Sequence, residues 1–249
     1  MKKSIRLKSV LASLLHYFGI LRWRLNRYSK NEFVILMYHR IIPWKSAGAN
    51  TQAGMYVEPE TFDLHIKILK KYLEIVPLAA IVFSGGINKL GLGKRCACVL
   101  TFDDGWRDFH QCAFPVLRSH QVPATVFLPT DFIGTDQWFW TDRLGFLLLH
   151  SESRSKRPEP SSNPLLNRLQ SLKGPFEIRL ERSINLLKKL RNEEIEEVLA
   201  TMAAAQGIEP KPGGRAFLDW KEVEELANSG LVTFGSHTAG HRILTTLTE

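Results

Sequence analysis

Two adjacent carboxylates follow the most apolar stretch in the middle of the chain. Asp103 and Asp104 come directly after the run from Cys96 to Phe102, and Gly105 is next. Ionised carboxylates resist burial at the end of a strand unless a cation or hydrogen-bond donors receive them. Asp-Gly is also a common turn dipeptide, so these residues alone fit either a solvated turn or a metal or catalytic site.

A histidine pair near the C-terminus supplies the missing partner for a metal site. His237 and His241 are four residues apart, and on a helical turn both imidazoles would project from one face. Two imidazole nitrogens and one carboxylate bind a metal ion and leave positions open for water and substrate. Successive side chains at a strand end point in opposite directions. One aspartate is therefore expected to bind the ion while the other acts as a base, as amide hydrolysis requires.

The elements that must position these residues alternate between strands and helices. Strands are predicted at Phe33 to Tyr38, which reads as fully buried, at Cys96 to Phe102, at Ala124 to Leu128 and at Leu231 to Phe234. This order predicts a parallel sheet with crossovers, either doubly wound or closed into a barrel. In both folds chemistry collects at the carboxyl ends of the strands, where the aspartate pair and His39 would lie.

The stretch between the last two strands is predicted to be a helical insertion at about residues 138–217. It begins with the aromatic cluster Trp138-Phe139-Trp140 and continues into helical patterns near Phe176 to Leu190 and Glu193 to Ala205. Trp138 and Trp140 either belong to the site or anchor the insertion. Directly after it, Asp219 forms a capping box with Glu222, which indicates a helix cap rather than a catalytic group.

Residues 1–30 are predicted to form a basic amphipathic helix, and residues 31–249 a single catalytic domain. The first 30 residues hold eight Lys or Arg and no acid, with apolar residues at helical spacing. The helix either lies on a membrane surface or packs on the domain. Its apolar part is too short for a transmembrane span, and no cleavage site follows it. The expected location is therefore cytoplasmic or peripheral to the inner membrane face.

The charge and the cysteines exclude other classes of protein. The net charge of +8 comes largely from the N-terminal segment, and no recognition motif accompanies it, so nucleic acid is not an expected partner. The three cysteines include no CxxC pair, which argues against a disulfide framework and against a cysteine zinc site.

Four segments together resemble the polysaccharide deacetylases of carbohydrate esterase family 4. They are Met37-Tyr38-His39-Arg40, Thr101 to Gly105, Pro123 to Phe127 and Ser236 to His241. The resemblance implies a deformed (β/α) barrel that removes N- or O-acetyl groups from poly- or oligosaccharides. It implies Asp103 as the catalytic base and Asp104, His237 and His241 as ligands of a divalent ion, with zinc expected first and cobalt or nickel as alternatives. It makes Trp138 and Trp140 candidate sugar-binding residues.

Further motifs of that family are expected after the histidine pair, including a Leu-x-His segment with the general acid. This sequence ends at Glu249, so we expect the last strands and the acid to be missing from it. The leading hypothesis is a carbohydrate deacetylase. A catalytically incomplete fragment that retains only metal, sugar or membrane binding is the alternative. A related hydrolase of a non-sugar amide is a third hypothesis.

Overall fold

A computed structural model describes residues 2–20, 23, 33–43, 45, 52, 54–83, 95–152, 163–210 and 213–247. Within these ranges the chain forms a parallel sheet with helices packed on it. A second group of helices lies between the last two strands in sequence. The predicted α/β class with a helical insertion is thus confirmed.

Five strands make up the main sheet. They are β1 (Phe33–Tyr38), β4 (Glu74–Ile75), β5 (Ala97–Phe102), β6 (Ala124–Leu128) and β7 (Val232–Ser236), while β2 (Arg40–Ile41) and β3 (Tyr56–Val57) pair separately. The sheet order is β1-β5-β6-β7, β4 also pairs with β5, and every pairing is parallel. The loops that follow β1, β5 and β7 therefore leave the sheet at one edge, and they carry the predicted site residues.

The central strand and the outer strand differ in burial. All six residues of β5 are buried, because neighbouring strands cover its edges and apolar side chains cover both of its faces. The prediction that β1 is fully buried was wrong. Phe33, Ile35 and Met37 are exposed, since β1 alternates between the core face and a face that no described element covers closely.

A sheet core lies between the strands and the helices packed on them. These helices are α2 (Pro59–Tyr72), α3 (Leu78–Phe83), α4 (Phe114–His120) and α9 (Trp220–Asn228), and a π-type turn, Phe109–Ala113, precedes α4. Proline in the first turn of α2 fits its start, and Phe62 and Ile66, one turn apart, are fully buried. Helix α9 begins at the predicted cap, where the Asp219 carboxylate accepts a hydrogen bond from the Glu222 backbone N–H at 2.8 Å.

The insertion builds a helical core of its own. It contains α5 (Trp140–Glu152), α6 (Pro164–Ser171), α7 (Phe176–Leu187) and α8 (Asn192–Gln206). Leu144, Leu147 and Leu187 are fully buried within it. At the start of α8, Arg191 has the extended backbone of an N-cap and Asn192 is the first helical residue.

The N-terminal segment contains the predicted helix, α1 (Lys2–Tyr17). The apolar side chains of Val10, Leu11 and Leu14 are about half exposed, at 56%, 54% and 49% of their surface. In the part of the chain that the structure describes, no helix combines the length and the apolar character that crossing a membrane requires.

Candidate metal centre

Asp104 is placed by a sharp backbone turn at the end of β5. The Asp103 N–H still donates to the Tyr38 carbonyl at 3.0 Å, which extends the strand pairing by one residue. Asp104 then takes a φ of 74° and Gly105 a φ of 60°. A Cβ at position 105 would lie 2.8 Å from a Leu128 methyl carbon. Glycine is therefore needed there, and the turn directs the two carboxylates differently.

The two histidines lie on a loop after β7 rather than on the helical turn that their spacing suggested. The His237 N–H donates to the Leu128 carbonyl at 3.0 Å, and the Asp131 N–H donates to the Ala239 carbonyl at 3.0 Å, so the loop is tied to the end of β6. Thr238 and His241 have φ values of 60° and 51°.

Backbone strain is concentrated at this edge of the sheet. Among the described residues, four that are not glycine have a positive φ, and three of them are Asp104, Thr238 and His241. Such conformations cost of order 1–3 kcal/mol each and persist where the surrounding structure imposes them. The loops thus hold the ligand candidates in place at a cost to stability.

The structure brings Asp104, His237 and His241 together as predicted. One ligand atom from each lies within 4.8 Å of the others. The Asp104 Oδ1 atom is 3.4 Å from His237 Nε2 and 3.2 Å from His241 Nε2. Two nitrogens and one oxygen therefore converge on one point.

The chemistry of this cluster fits a divalent transition ion. Asp104 is 3% exposed, and its Oδ1 atom is buried without a hydrogen-bond partner, which is costly unless something binds it. A carboxylate oxygen with two imidazole nitrogens is a donor set suited to zinc and to its neighbours in the transition series. Asp104, His237 and His241 are the residues that would hold such an ion.

The electrostatics of the two aspartates differ. Burial alone would raise the pKa of Asp104, but the His237 and His241 rings outweigh it and hold that pKa well below its usual range. For Asp103, burial is the largest effect and raises its pKa, with His237 and His39 opposing the rise. Asp104 is thus suited to bind a cation as a carboxylate, while Asp103 is closer to the proton affinity that a base needs.

A chain of contacts that the sequence did not indicate orients Asp104. Its Oδ2 atom accepts a hydrogen bond from the Trp106 indole N–H at 3.1 Å. The Arg40 guanidinium lies 4.3 Å above the Trp106 ring and donates to Asp108 Oδ2 at 2.8 Å. Contacts of this kind fix the direction of a ligand carboxylate. In the sequence, only the position of Trp106, two residues after Asp104, could have indicated this contact.

The aromatic cluster of the insertion contacts the site through its middle residue. The Phe139 ring stacks on His241 with centroids 4.1 Å apart. Trp140 is buried in the helical core, which favours the anchoring role for it over contact with a sugar. Trp138 is half-buried against Phe146, with centroids 5.6 Å apart, and its role in sugar binding stays a prediction.

A cavity of about 130 Å³ opens beside the cluster. Its walls come from the sheet edge and from the insertion, and they contain His39, Arg40, Gln52, Met55, Asp104, Trp106, Phe139, Thr141, Asp142, Leu180, Ile184 and His241. His39 therefore lies at the site, as its place at the end of β1 suggested.

Comparison with known proteins finds a family model that matches the part of the chain containing these residues. The family model described as "Polysaccharide deacetylase" matches residues 93–249, which is more than half of the chain and includes Asp103, Asp104 and the histidine pair. YxkH, a Bacillus subtilis protein assigned to the polysaccharide deacetylases, is 33% identical over 102 residues, which are 40% of this chain and 33% of YxkH. The chain thus matches about a third of the length of this curated relative.

Solved structures of similar proteins have low sequence identity to the chain. A polysaccharide deacetylase from Bacillus cereus is 18% identical with a TM-score of 0.47, covering 88% of this chain and 42% of its own. A de-N-acetylase from Aggregatibacter actinomycetemcomitans is 17% identical with a TM-score of 0.41, covering 83% of this chain and 55% of its own.

Proposed function

The chain belongs to the polysaccharide deacetylase family, and on that basis we propose that it removes acetyl groups from N-acetylated or O-acetylated poly- or oligosaccharides with the help of a divalent ion. The observation that carries the proposal is the convergence of Asp104, His237 and His241 on one point. Asp103 directly precedes Asp104 at the same sheet edge. Zinc is the proposed ion, and cobalt and nickel are the alternatives.

The residues divide the work of hydrolysis. A divalent ion in this position supplies Lewis-acid chemistry, which activates water and polarises the acetyl carbonyl. Asp103 accepts the proton of the attacking water, since the residue is only half-buried and burial raises the pKa of its carboxyl. Trp106 holds the Asp104 carboxylate in a fixed direction through its indole N–H. Phe139 packs on one face of His241 and limits its rotation.

Metal content and acetate release test the proposal on the same protein. We expect the purified chain to retain a stoichiometric divalent ion after dialysis and to release acetate from acetylated chito-oligosaccharides. Asp104→Ala and His237→Ala should each lower metal affinity at least about tenfold, because each removes a ligand. Asp103→Asn should keep the metal and slow acetate release by about 10²- to 10⁴-fold, because it removes only the base.

Asp136→Asn is a suitable control, because Asp136 is an exposed carboxylate outside the cluster. A wild-type chain that binds no metal would contradict the site. Loss of metal in Asp103→Asn would show that the roles of the two aspartates are reversed. Bound metal and bound sugar without acetate release would favour the alternative, a protein that binds metal and sugar without turnover.

We also propose that α1 docks the protein on an anionic membrane surface, on its cytoplasmic side. The exposed side chains of Val10, Leu11, Leu14 and Tyr17 fall on one stripe of the helix, and the exposed Phe18 directly follows it. Residues 1–30 carry eight cations and no acid. Apolar burial combined with attraction to acidic lipids is the usual basis of such binding.

Vesicle sedimentation tests this docking. The chain should bind vesicles of phosphatidylcholine with about a third phosphatidylglycerol, and bind much less at high salt or to phosphatidylcholine alone. The double change Leu11→Glu with Leu14→Glu should abolish binding, whereas Leu64→Glu, at an equally exposed leucine of α2, should not. Equal binding to neutral and acidic vesicles, or unchanged binding of the double variant, would refute the docking surface.

A further inference from the structure

The insertion contributes one carboxylate to the cavity at the candidate metal centre. Asp142 lies in the first turn of α5 and lines the same cavity as Asp104 and His241. Asp142 is distant in sequence from both residues, so only the folded chain shows that it lies beside them at the cavity. Asp142 is half-buried and belongs to the cavity lining.

The rest of the insertion's wall carries no charge. Phe139, Thr141, Leu180 and Ile184 make up that wall together with Asp142. Placing a carboxylate among apolar side chains is unfavourable unless a ligand or a cation receives it. This cost is reflected in the pKa of Asp142. Burial raises that pKa to about 6, even though the charge of Arg40 opposes the rise.

The nearby cation is already engaged elsewhere. The Arg40 guanidinium donates to Asp108 Oδ2 at 2.8 Å and covers the Trp106 ring at 4.3 Å. Asp108 is buried, so the pair is held in a fixed geometry. Among the described residues, no ion pair within 4.0 Å includes Asp142. Its carboxyl therefore has capacity left to accept hydrogen bonds from a molecule in the cavity.

A role at the start of the helix does not explain this placement. An acid in the first turn interacts favourably with the helix dipole, but that effect does not require burial. Glu177 occupies the first turn of α7 in the same insertion and is exposed. The dipole accounts for an acid in this turn, and it leaves unexplained why Asp142 faces the cavity.

We propose that Asp142 is a substrate-binding residue, supplied by the insertion, that accepts hydrogen bonds from hydroxyl or acetamido N–H groups of the glycan. The inference rests on the proposed deacetylase function. Sugars offer many such donors at their edges, while their C–H faces suit the half-buried apolar side chains of Met55 and Ile184 in the same cavity. The carboxylate thus helps to hold the sugar while its acetyl group lies at Asp104 and His241.

Binding and kinetics of two Asp142 variants test the proposal. Metal-loaded wild type, Asp142→Ala and Asp142→Asn are compared for binding of an acetylated chito-oligosaccharide by calorimetry and for KM and kcat of acetate release. Asp142→Ala should weaken binding and raise KM about tenfold, the loss expected for one hydrogen bond to a charged group. Asp142→Asn should recover part of the loss, because its amide oxygen still accepts. Metal content should equal that of wild type, and kcat should change by less than about threefold.

Two controls separate sugar binding from a structural role. Glu177→Gln changes an exposed first-turn acid in the neighbouring helix and should leave binding and KM unchanged. A small acetyl ester without a sugar, 4-nitrophenyl acetate, makes no contact that depends on the glycan, so the loss of kcat/KM in Asp142→Ala should be clearly larger for the oligosaccharide than for this ester.

The outcomes also distinguish this inference from the proposed function. A wild-type chain that releases no acetate contradicts the deacetylase, and the calorimetric comparison then still decides whether Asp142 binds sugar. Unchanged oligosaccharide binding and KM in Asp142→Ala would overturn the inference even in an active enzyme. Loss of metal from Asp142→Ala would also overturn it, because it would assign Asp142 to the support of the metal centre.

Discussion

The sheet region and the helical insertion bury their apolar side chains in two separate cores. The sheet core is built on β5 and contains aromatic rings such as Phe102 and Phe109, whereas the helical core consists mainly of leucines on α5 to α8. The two cores meet at adjacent residues of one segment. Phe139 belongs to the sheet core, and Trp140, the next residue, belongs to the helical core.

The two regions also contribute differently to the site. The sheet region supplies the ligand candidates and fixes them through backbone turns at the strand ends, where Asp104 and His241 have positive φ. The insertion supplies side chains to the cavity wall, through Phe139 on His241 and through Asp142. We infer that the sheet region determines whether an ion is bound, and that the insertion determines what is held beside it.

The largest expected loss of stability comes from creating a cavity in the sheet core. Phe102 is 1% exposed and packs against the rings of Tyr38, Phe62 and Phe109, with centroids 5.3, 5.7 and 4.7 Å away. Phe102→Ala should lower the free energy of unfolding by about 4 kcal/mol. Because Asp103 and Asp104 follow Phe102 directly, metal affinity should fall as well. Urea denaturation and metal titration measure the two losses.

Leu147→Ala in the helical core is the matched change. Leu147 is fully buried, so the substitution should cost about 3 kcal/mol. Metal affinity should nevertheless stay within about threefold of wild type, since the insertion touches the ligands mainly through Phe139. Equal loss of metal affinity in both variants would contradict the division between the two regions.

The sheet region was also the part that the sequence predicted well. The strand at Ala124–Leu128 was predicted residue for residue, and the β5 strand to within one. Parallel strands bring their carboxyl ends to one edge, so the motifs after β5 and β7 were expected to meet, and the structure places them together. The short-range signals of strand, glycine turn and motif spacing were sufficient there.

Contacts between the two regions could not be predicted from such signals. The run Trp138-Phe139-Trp140 marked an aromatic cluster, but it gave no indication that the middle ring packs on His241. Periodicity predicts which face of an element is apolar, and it does not identify the partner of that face. The same limit explains β1, whose apolar run was read as fully buried although Met37 and its alternate neighbours are exposed.

The conformation of the histidine loop is another feature that local sequence signals did not predict. The spacing of His237 and His241 is compatible with a helical turn, but the loop takes positive φ at Thr238 and His241 instead. Hydrogen bonds to the loop after β6 impose this path, because the Asp131 N–H donates to the Ala239 carbonyl. Tertiary contacts here override local preference, as they often do at functional sites.

The ion pairs of the two regions are expected to contribute less to the free energy of unfolding than the two cores. The size of their contributions and its dependence on pH should differ between the regions. On the sheet side the Glu222 carboxylate accepts hydrogen bonds from Arg215 at 2.7 and 3.0 Å, from Arg107 at 3.0 Å and from the Asp219 backbone N–H at 3.0 Å. Burial by itself would raise the pKa of Glu222, but these partners outweigh it and lower the pKa to about 2. On the insertion side, Glu196 pairs with Arg143 and is more exposed.

Glu222→Gln should therefore destabilise the protein by about 3 kcal/mol at pH 7, and Glu196→Gln by about 0.5 kcal/mol. The folded pKa of Glu222 lies below its unfolded value of 4.5, so its stabilisation is complete above that pH and is lost as pH falls towards 2. The difference between wild type and Glu222→Gln should shrink over the same range, as urea denaturation at pH 7, 4 and 2.5 would show. If Glu222→Gln stayed less stable than wild type by the same free energy of unfolding down to pH 2.5, the prediction would be wrong. The packing of the Glu222 side chain, rather than its charge, would then account for its contribution to the sheet region.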